Sequence, residues 1–352
     1  PYGNAVRAYG AERTLCDMLR GTSSPDLQLL SPAFRLYLSS GGCNLAEAAV
    51  VRRQARRGCE GEKIHGGAAL KTRNAMQLKA LINNRAKAAG VSPQLMLQNY
   101  MLERLIDRIS RSSWRDCIIV KGGMLIGSLI GVDRRTTKDL DTTVRGFTLT
   151  HSKAAEVFGE ICAIDAEDDL SFELLRTDDI READDVSGIR VFLRACYDPL
   201  AVPLTVDVTT GDKITPSAIA YEYPFVFDEG SATVMAYPLE TVMAEKIETV
   251  LARNVATTRI RDFYDIYELW RVRGHAVRTR TLAQALVATC EKRNSWEAVE
   301  RREEIIDDMR EDAGLRRQWQ AYASKHSYAA SLSFGETLDA VREVMESIMP
   351  FL

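Results

Sequence analysis

"IIVKGGMLIGSLIGVDRRTTKDLDTTV", residues 118–144, decides how this chain is read. The apolar, largely β-branched run Ile118, Ile119 and Val120 predicts a buried strand, "MLIGSLI" predicts a short helix, and "KDLDTTV" predicts a second strand. Gly122 and Gly123 stand where the first strand turns into the helix. On the second strand Asp139 and Asp141 are two positions apart, so their side chains leave the same face. Two carboxylates held that close repel one another, and a fold tolerates this where a cation compensates. Mg²⁺ is the natural cation, since it is hard, takes oxygen ligands and binds through one or two carboxylates plus substrate phosphates. The glycines fit the other half of such a site: lacking Cβ atoms, they let backbone N–H groups approach an anion near a helix N-terminus. A plain tight turn is the alternative reading of the same pair.

Around this segment the pattern is mixed. Before it, "NAMQLKALINNRAKAAG" and "SPQLMLQNYMLERLIDRIS" carry a helical period, with Ser92 placed to cap and Pro93 at the first helical position. Leu95, Leu102, Leu105 and Ile109 form the expected core stripe of the second helix, and Lys79, Arg85 and Lys87 are expected as exposed cations on the first. Between 115 and 240 six short β-rich runs appear: "DCIIVKGG", "DLDTTVRGF", "SFELL", "IRVFLRACY", "LTVDVTT" and "ATVMAY". From Pro238 onward the period is helical again. The fold class is therefore α/β of the α+β kind, a sheet domain with leading helices over 72–237 and a helical C-terminal lobe over 238–352. Residues 1–58 predict a small helical segment, and the glycine-rich 59–71 a linker or junction.

A third carboxylate comes from "PLTVDVTTGD". Leu204, Val206 and Val208 alternate with Thr205, Asp207 and Thr209, so Asp207 shares a polar face with hydroxyls. If this strand neighbours the first, three carboxylates converge in a way that suits metal-assisted phosphoryl chemistry.

Bulk properties exclude other chemistries. Seven cysteines and four histidines are scattered, with no C-x-x-C pair and no H-E-x-x-H, so a metal is left to carboxylates. No apolar run approaches the roughly 20 residues that span a bilayer, which excludes a membrane partner and predicts a cytoplasmic protein. The net charge of −3 divides unevenly: lysines and arginines less aspartates and glutamates come to 9 − 6 = +3 over 1–70, 14 − 6 = +8 over 71–145 and 23 − 37 = −14 over 146–352. A basic middle segment suits a polyanion, although a solvated helix face accounts for it equally well.

The ordered set of motifs resembles a known family. A Gly-Gly turn, a spacer, and then Arg135, Thr137, Asp139 and Asp141 in R-x-T-x-D-L-D are similar to the AbiEii/AbiGii-type toxins of the DNA polymerase β-like nucleotidyltransferase superfamily. "LETVMAEKIETVLAR" and "TRIRDFYDIYEL" resemble the E-x-x-x-x-E-K helix and the R-D-x-Y-D segment of the same family. The resemblance implies a polymerase β-like mixed sheet, contacts from Gly122, Gly123, Arg135 and Thr137 to the nucleotide, and Mg²⁺ on Asp139 and Asp141, with Asp207 as a further candidate ligand. It implies that Lys246 meets the triphosphate, that Asp262 completes the essential set, and that Asp265 stands close behind. The activity implied is that of a toxin of a toxin–antitoxin or abortive-infection system used in phage defence. It would transfer a nucleotide from an NTP to an acceptor hydroxyl of RNA, the 3′ end of tRNA, with loss of pyrophosphate. Residues 1–58 resemble the C-terminal part of an AbiEi-type antitoxin, so the chain reads as an antitoxin tail joined to its toxin, with a cognate AbiEi-type antitoxin as partner. Two alternatives stay open: nucleotidylation of a protein or small molecule, and a non-catalytic antitoxin-like binding module.

Overall fold

In the computed structural model the residues described are 75–180, 188–227 and 230–352. The antitoxin-like reading of 1–58 and the junction at 59–71 lie outside them. Two helices lead, α1 (Ala75–Ala89) and α2 (Pro93–Arg111). Ser92 caps α2 as its sequence suggests, its side chain accepting from the Leu95 N–H at 3.2 Å. The expected stripe holds for Leu102, Leu105 and Ile109, which are fully buried, whereas Leu95 is half-buried. Burial on α2 goes well beyond one stripe: Asn99, Glu103, Arg104, Asp107 and Arg108 are buried as well.

That burial changes the meaning of the basic middle segment. Arg108 forks onto Asp168 at 2.9 and 2.7 Å and onto the Leu170 carbonyl at 2.7 Å. Arg104 meets Glu103 at 2.8 Å. Arg135 is buried too. Guanidinium groups taken out of water this way serve internal carboxylates, so part of the charge that suggests a polyanion partner is spent inside the fold. Lys79, Arg85 and Lys87 are exposed on α1 as expected.

The sheet contains seven strands: β1 (Ile118–Lys121), β2 (Asp139–Val144), β3 (Ser171–Asp179), β4 (Ile189–Tyr197), β5 (Leu200–Thr210), β6 (Ile219–Pro224) and β7 (Ser231–Ala236). Their spatial order is β3-β4-β5-β2-β1-β7-β6. Pairing is mixed, with β2 antiparallel to β1 but parallel to β5, and β1 parallel to β7. Six of these strands coincide with the β-rich runs. The seventh, β6, was not expected, because "IAYEYP" has no clean alternation and ends on a proline; as an edge strand paired only with β7 it tolerates both.

Two helices interrupt the strands, α3 (Gly122–Ile130) after the glycine pair, where the sequence places a helix, and α4 (His151–Cys162). Beyond the sheet come α5 (Leu239–Arg253), α6 (Ile260–Arg273), α7 (Thr279–Arg293), α8 (Trp296–Glu300), α9 (Arg302–Glu311), α10 (Ala313–Lys325) and α11 (Phe334–Ile348). The α6 helix packs against α3, α5 and α11, and α7 packs on α5. Met243, Ile247, Phe263, Ile266, Leu282 and Leu286 are buried there at 0% exposure. Tyr264 and Trp319 are buried, whereas Tyr267, Trp270 and Trp296 are partly exposed. Among the described residues no helix is long and apolar enough to cross a membrane.

Candidate active site

The strand register assembles the first part of the site. Asp141 lies opposite Lys121 of β1 on one side and opposite Asp207 of β5 on the other. The strand carrying Asp207 is thus the neighbour the three-carboxylate reading requires. Its alternation also holds, with Leu204, Val206 and Val208 buried and Asp207 partly open.

The glycine pair is shaped around Asp141. Gly122 has φ +63°, and a Cβ on it would lie 1.9 Å from the Asp141 Oδ2. The Gly123 N–H donates to that same oxygen at 3.2 Å, and a Cβ on Gly123 would fall 2.6 Å from the Thr137 hydroxyl. Glycine is therefore needed at both positions so that the carboxylate and the Thr137 side chain can lie against the backbone at the start of α3. Thr137 in turn donates to Asp139 at 2.6 Å, and Asn99 of α2 anchors the segment by donating to the Thr137 carbonyl at 2.7 Å.

Asp141 carries the electrostatic signature of the pair. Burial, followed by the charge of Asp139, pushes its carboxyl up to about 6, against the opposing pull of the Gly123 N–H and Lys121. Asp207 has a cation of its own, Arg190 of β4, which donates to it bidentately at 2.7 and 2.6 Å. Among the described residues no three histidine, cysteine, aspartate or glutamate side chains are grouped to hold a metal ion. A site of two mutually repelling carboxylates, completed by substrate phosphate oxygens, does fit Mg²⁺, and Asp139 and Asp141 are the residues that would hold it.

Helices α5 and α6 supply the facing wall. Lys246 donates to Asp262 at 2.5 Å and stands 2.8 Å from Asp265. Arg135, from the loop before β2, reaches Asp265 at 2.8 Å. Burial opposes the charge of Lys246, but the two aspartates outweigh it and its pKa is raised. Burial likewise opposes ionisation of Asp265, and Arg135 with Lys246 reverses the sign, so its pKa is lowered. Asp265 is fully buried and Thr137 nearly so, which leaves both as supports beneath the site.

Between these walls is a cleft of about 250 Å³ whose lining includes Gly122, Gly123, Arg135, Asp141, Asp207, Lys246 and Asp262. Residues more than a hundred positions apart in the chain thus share one cavity. The same cleft holds Glu245 of the E-x-x-x-x-E-K motif and four groups that no motif marked: Lys121, Asp212, Lys292 and Arg293. Lys121 carries a weak signal in standing directly before the glycine pair, and Asp212 another in following Gly211, whose φ of +75° turns the chain at the end of β5. Lys292 and Arg293, in the last turn of α7, carry none.

A mixed sheet bearing paired carboxylates beside a glycine turn, faced by a helical lysine and aspartate, defines a nucleotidyltransferase. Residues 104–346 match the family described as nucleotidyl transferase AbiEii toxin of a type IV toxin–antitoxin system, and the chain belongs to that family. It is also similar to MenT4, a nucleotidyltransferase toxin from Mycobacterium tuberculosis H37Rv, at 15% identity and a TM-score of 0.44, covering 78% of this chain and 98% of that one. JHP933 from Helicobacter pylori is similar at 13% identity and a TM-score of 0.43, covering 74% and 95% of the respective chains. No curated protein matches it significantly.

Proposed function

We propose that this toxin transfers a nucleotide from an NTP to an acceptor hydroxyl at the 3′ end of tRNA, releasing pyrophosphate, with Mg²⁺ held by Asp139 and Asp141. The observation that carries the reading is the Asp139–Asp141 pair itself. Two carboxylates face one side, one of them pushed up to about 6 by burial and by its neighbour, beside a cleft large enough for a small ligand. Bound Mg²⁺ would neutralise phosphate charge and orient the triphosphate for in-line attack.

The chain's own residues supply the rest. Gly122 and Gly123 keep the backbone low enough for the Asp141 carboxylate to lie over the start of α3. Thr137 holds Asp139 through its hydroxyl. Asp262 and Asp265 fix Lys246 on the opposite wall, while Arg135 braces Asp265 from beneath. Lys79, Arg85 and Lys87 of α1 are among the exposed cations of the basic segment open to an RNA backbone, with Arg115, Lys138 and Arg145. A cognate AbiEi-type antitoxin is the partner this reading implies.

The test is direct. Purified protein is incubated with Mg²⁺, each labelled NTP in turn, and either total RNA or total protein, and labelled RNA 3′ ends are sequenced. Label at tRNA 3′ ends that disappears with Asp139→Ala is the expected result. Label on protein instead of RNA would replace the acceptor, and no transfer to any acceptor would remove the reading.

A further inference from the structure

One cluster in the cleft is used by none of the roles above. Asp212, just beyond β5, accepts from Lys121 at 2.5 Å, from Lys292 at 2.9 Å and from the Tyr237 hydroxyl at 2.7 Å, with the Thr209 hydroxyl 2.9 Å away. Two ammonium groups repel one another, yet here a strand end and the last turn of α7 bring both to one carboxylate. The Asp212 side chain is only 5% exposed, and the lysines are 16% and 28% exposed, so the aspartate is sheltered beneath two cations that face the cleft.

Donor counting separates this cluster from Lys246. Lys121 and Lys292 have six N–H donors between them and use three, two from Lys121 on Thr209 and Asp212 and one from Lys292 on Asp212. Lys246 has three and uses two, both on aspartates. Arg293 beside Lys292 is engaged by Glu248 and lies 3.9 Å from Glu245, so the other carboxylates at this end have a cation of their own. Position matters as much as capacity: Lys121 lies opposite Asp141 in the strand register and directly before Gly122.

We infer that Lys121 and Lys292 form the polyphosphate subsite of this enzyme and that Asp212 is the positioning residue that holds them there. The inference rests on the nucleotidyl-transfer reading for its substrate but assigns the phosphate contact to this pair ahead of Lys246. A recessed pair of ammonium groups beside the proposed metal carboxylates reaches the β- and γ-phosphates of a small ligand. An RNA backbone would have to enter the cleft to meet them.

Calorimetric titration of inorganic tripolyphosphate, of NTP with Mg²⁺, and of total tRNA tests this on the full chain. Lys292→Met, which removes a partly exposed side chain at a helix end, weakens tripolyphosphate and NTP binding about tenfold, the scale of one lost charge-assisted hydrogen bond. Lys121→Met does the same, and Asp212→Asn raises the KM for NTP more than it lowers kcat, with partial recovery in Asp212→Glu. Lys246→Met weakens tripolyphosphate binding less than either lysine variant, and tRNA binding is unchanged in all five variants. Wild-type tripolyphosphate affinity in both Lys121→Met and Lys292→Met overturns the inference, as does a loss confined to tRNA. If the wild type transfers nucleotides while those variants bind normally, only the subsite falls. If tripolyphosphate binding depends on the pair but nothing is transferred, the subsite stands and the transferase reading falls.

Discussion

Two pairs of aspartates stand at the same cleft, each with one member lining it, Asp141 and Asp262, and they have opposite fates. Asp139 and Asp141 sit two apart on a strand, and Asp262 and Asp265 three apart on a helix, so both spacings place the carboxylates on one side. The helix pair is met by Lys246 and Arg135, cation for carboxylate, and the Asp265 pKa is lowered. Among the described residues the cations near the strand pair are committed elsewhere, Lys121 to Asp212 and Arg190 to Asp207, and Asp141 is pushed up to about 6. Identical side chains thus become a completed ion-pair network in one place and an incomplete cation site in the other. The difference lies in which cations the fold delivers, and it separates residues that bind a metal from residues that hold the wall.

The largest expected effect tests the incomplete pair. Asp139→Ala or Asp141→Ala lowers nucleotide transfer by at least roughly 10³-fold, about 4 kcal/mol of transition-state stabilisation, with circular dichroism unchanged. Residual transfer within tenfold of wild type would break the comparison on the strand side. Next, Asp265→Ala leaves the buried Arg135 unpaired and costs about 3 kcal/mol of stability in urea denaturation. A variant as stable as wild type would mean that the helix pair is not a structural network.

A smaller effect has a definite sign. Because burial and Asp139 raise the Asp141 pKa from 3.8 to about 6, its contribution to stability is fully present below pH 4 and is lost as pH rises through about 6. Asp141→Asn is therefore more stable than wild type at pH 7 by on the order of 2 kcal/mol, with the gain vanishing near pH 4. Melting temperatures from pH 4 to 7.5 in a chelating buffer follow this, and Mg²⁺ raises the wild-type value more than that of the variant. The helix pair has the opposite slope: the contribution of Asp265 is present above its ordinary value and lost as pH falls through its lowered one. Gly122→Ala costs at least the roughly 1–2 kcal/mol of a side chain at φ +63°, since its Cβ would also fall 1.9 Å from the Asp141 Oδ2. It also moves the Asp141 carboxylate aside, so transfer falls further than stability does, as a paired assay of both would show.

Much of this arrangement was legible in the chain. Six of the seven strands, the helix after the glycine pair, the Ser92 cap and the shared face of Asp139 and Asp141 all follow from spacing over a few residues. The β6 strand does not show in the sequence because it is itself an edge, paired with β7 alone, and an edge strand needs no alternation. Asp207 has the face and neighbour its spacing predicts, but its bidentate Arg190 depends on the register of the β4–β5 hairpin, which sets Arg190 opposite Asp207 and which the spacing of neither strand gives. The reading of the basic segment as a polyanion surface took no account of Arg104, Arg108 and Arg135 being buried, for the same reason.

Local periodicity settled which side chains share a face, because a strand or helix repeats over two to four residues and carries that information in its own spacing. The chemical state of those side chains was decided by the folded chain. Lys121 and Asp212 are 91 positions apart, Lys292 and Asp212 are 80 apart, and Arg135 and Asp265 are 130 apart. Charge compensation falls off over a few ångströms of space and is indifferent to distance along the sequence. Whether a carboxylate waits for a metal or already has its cation therefore had to come from tertiary packing.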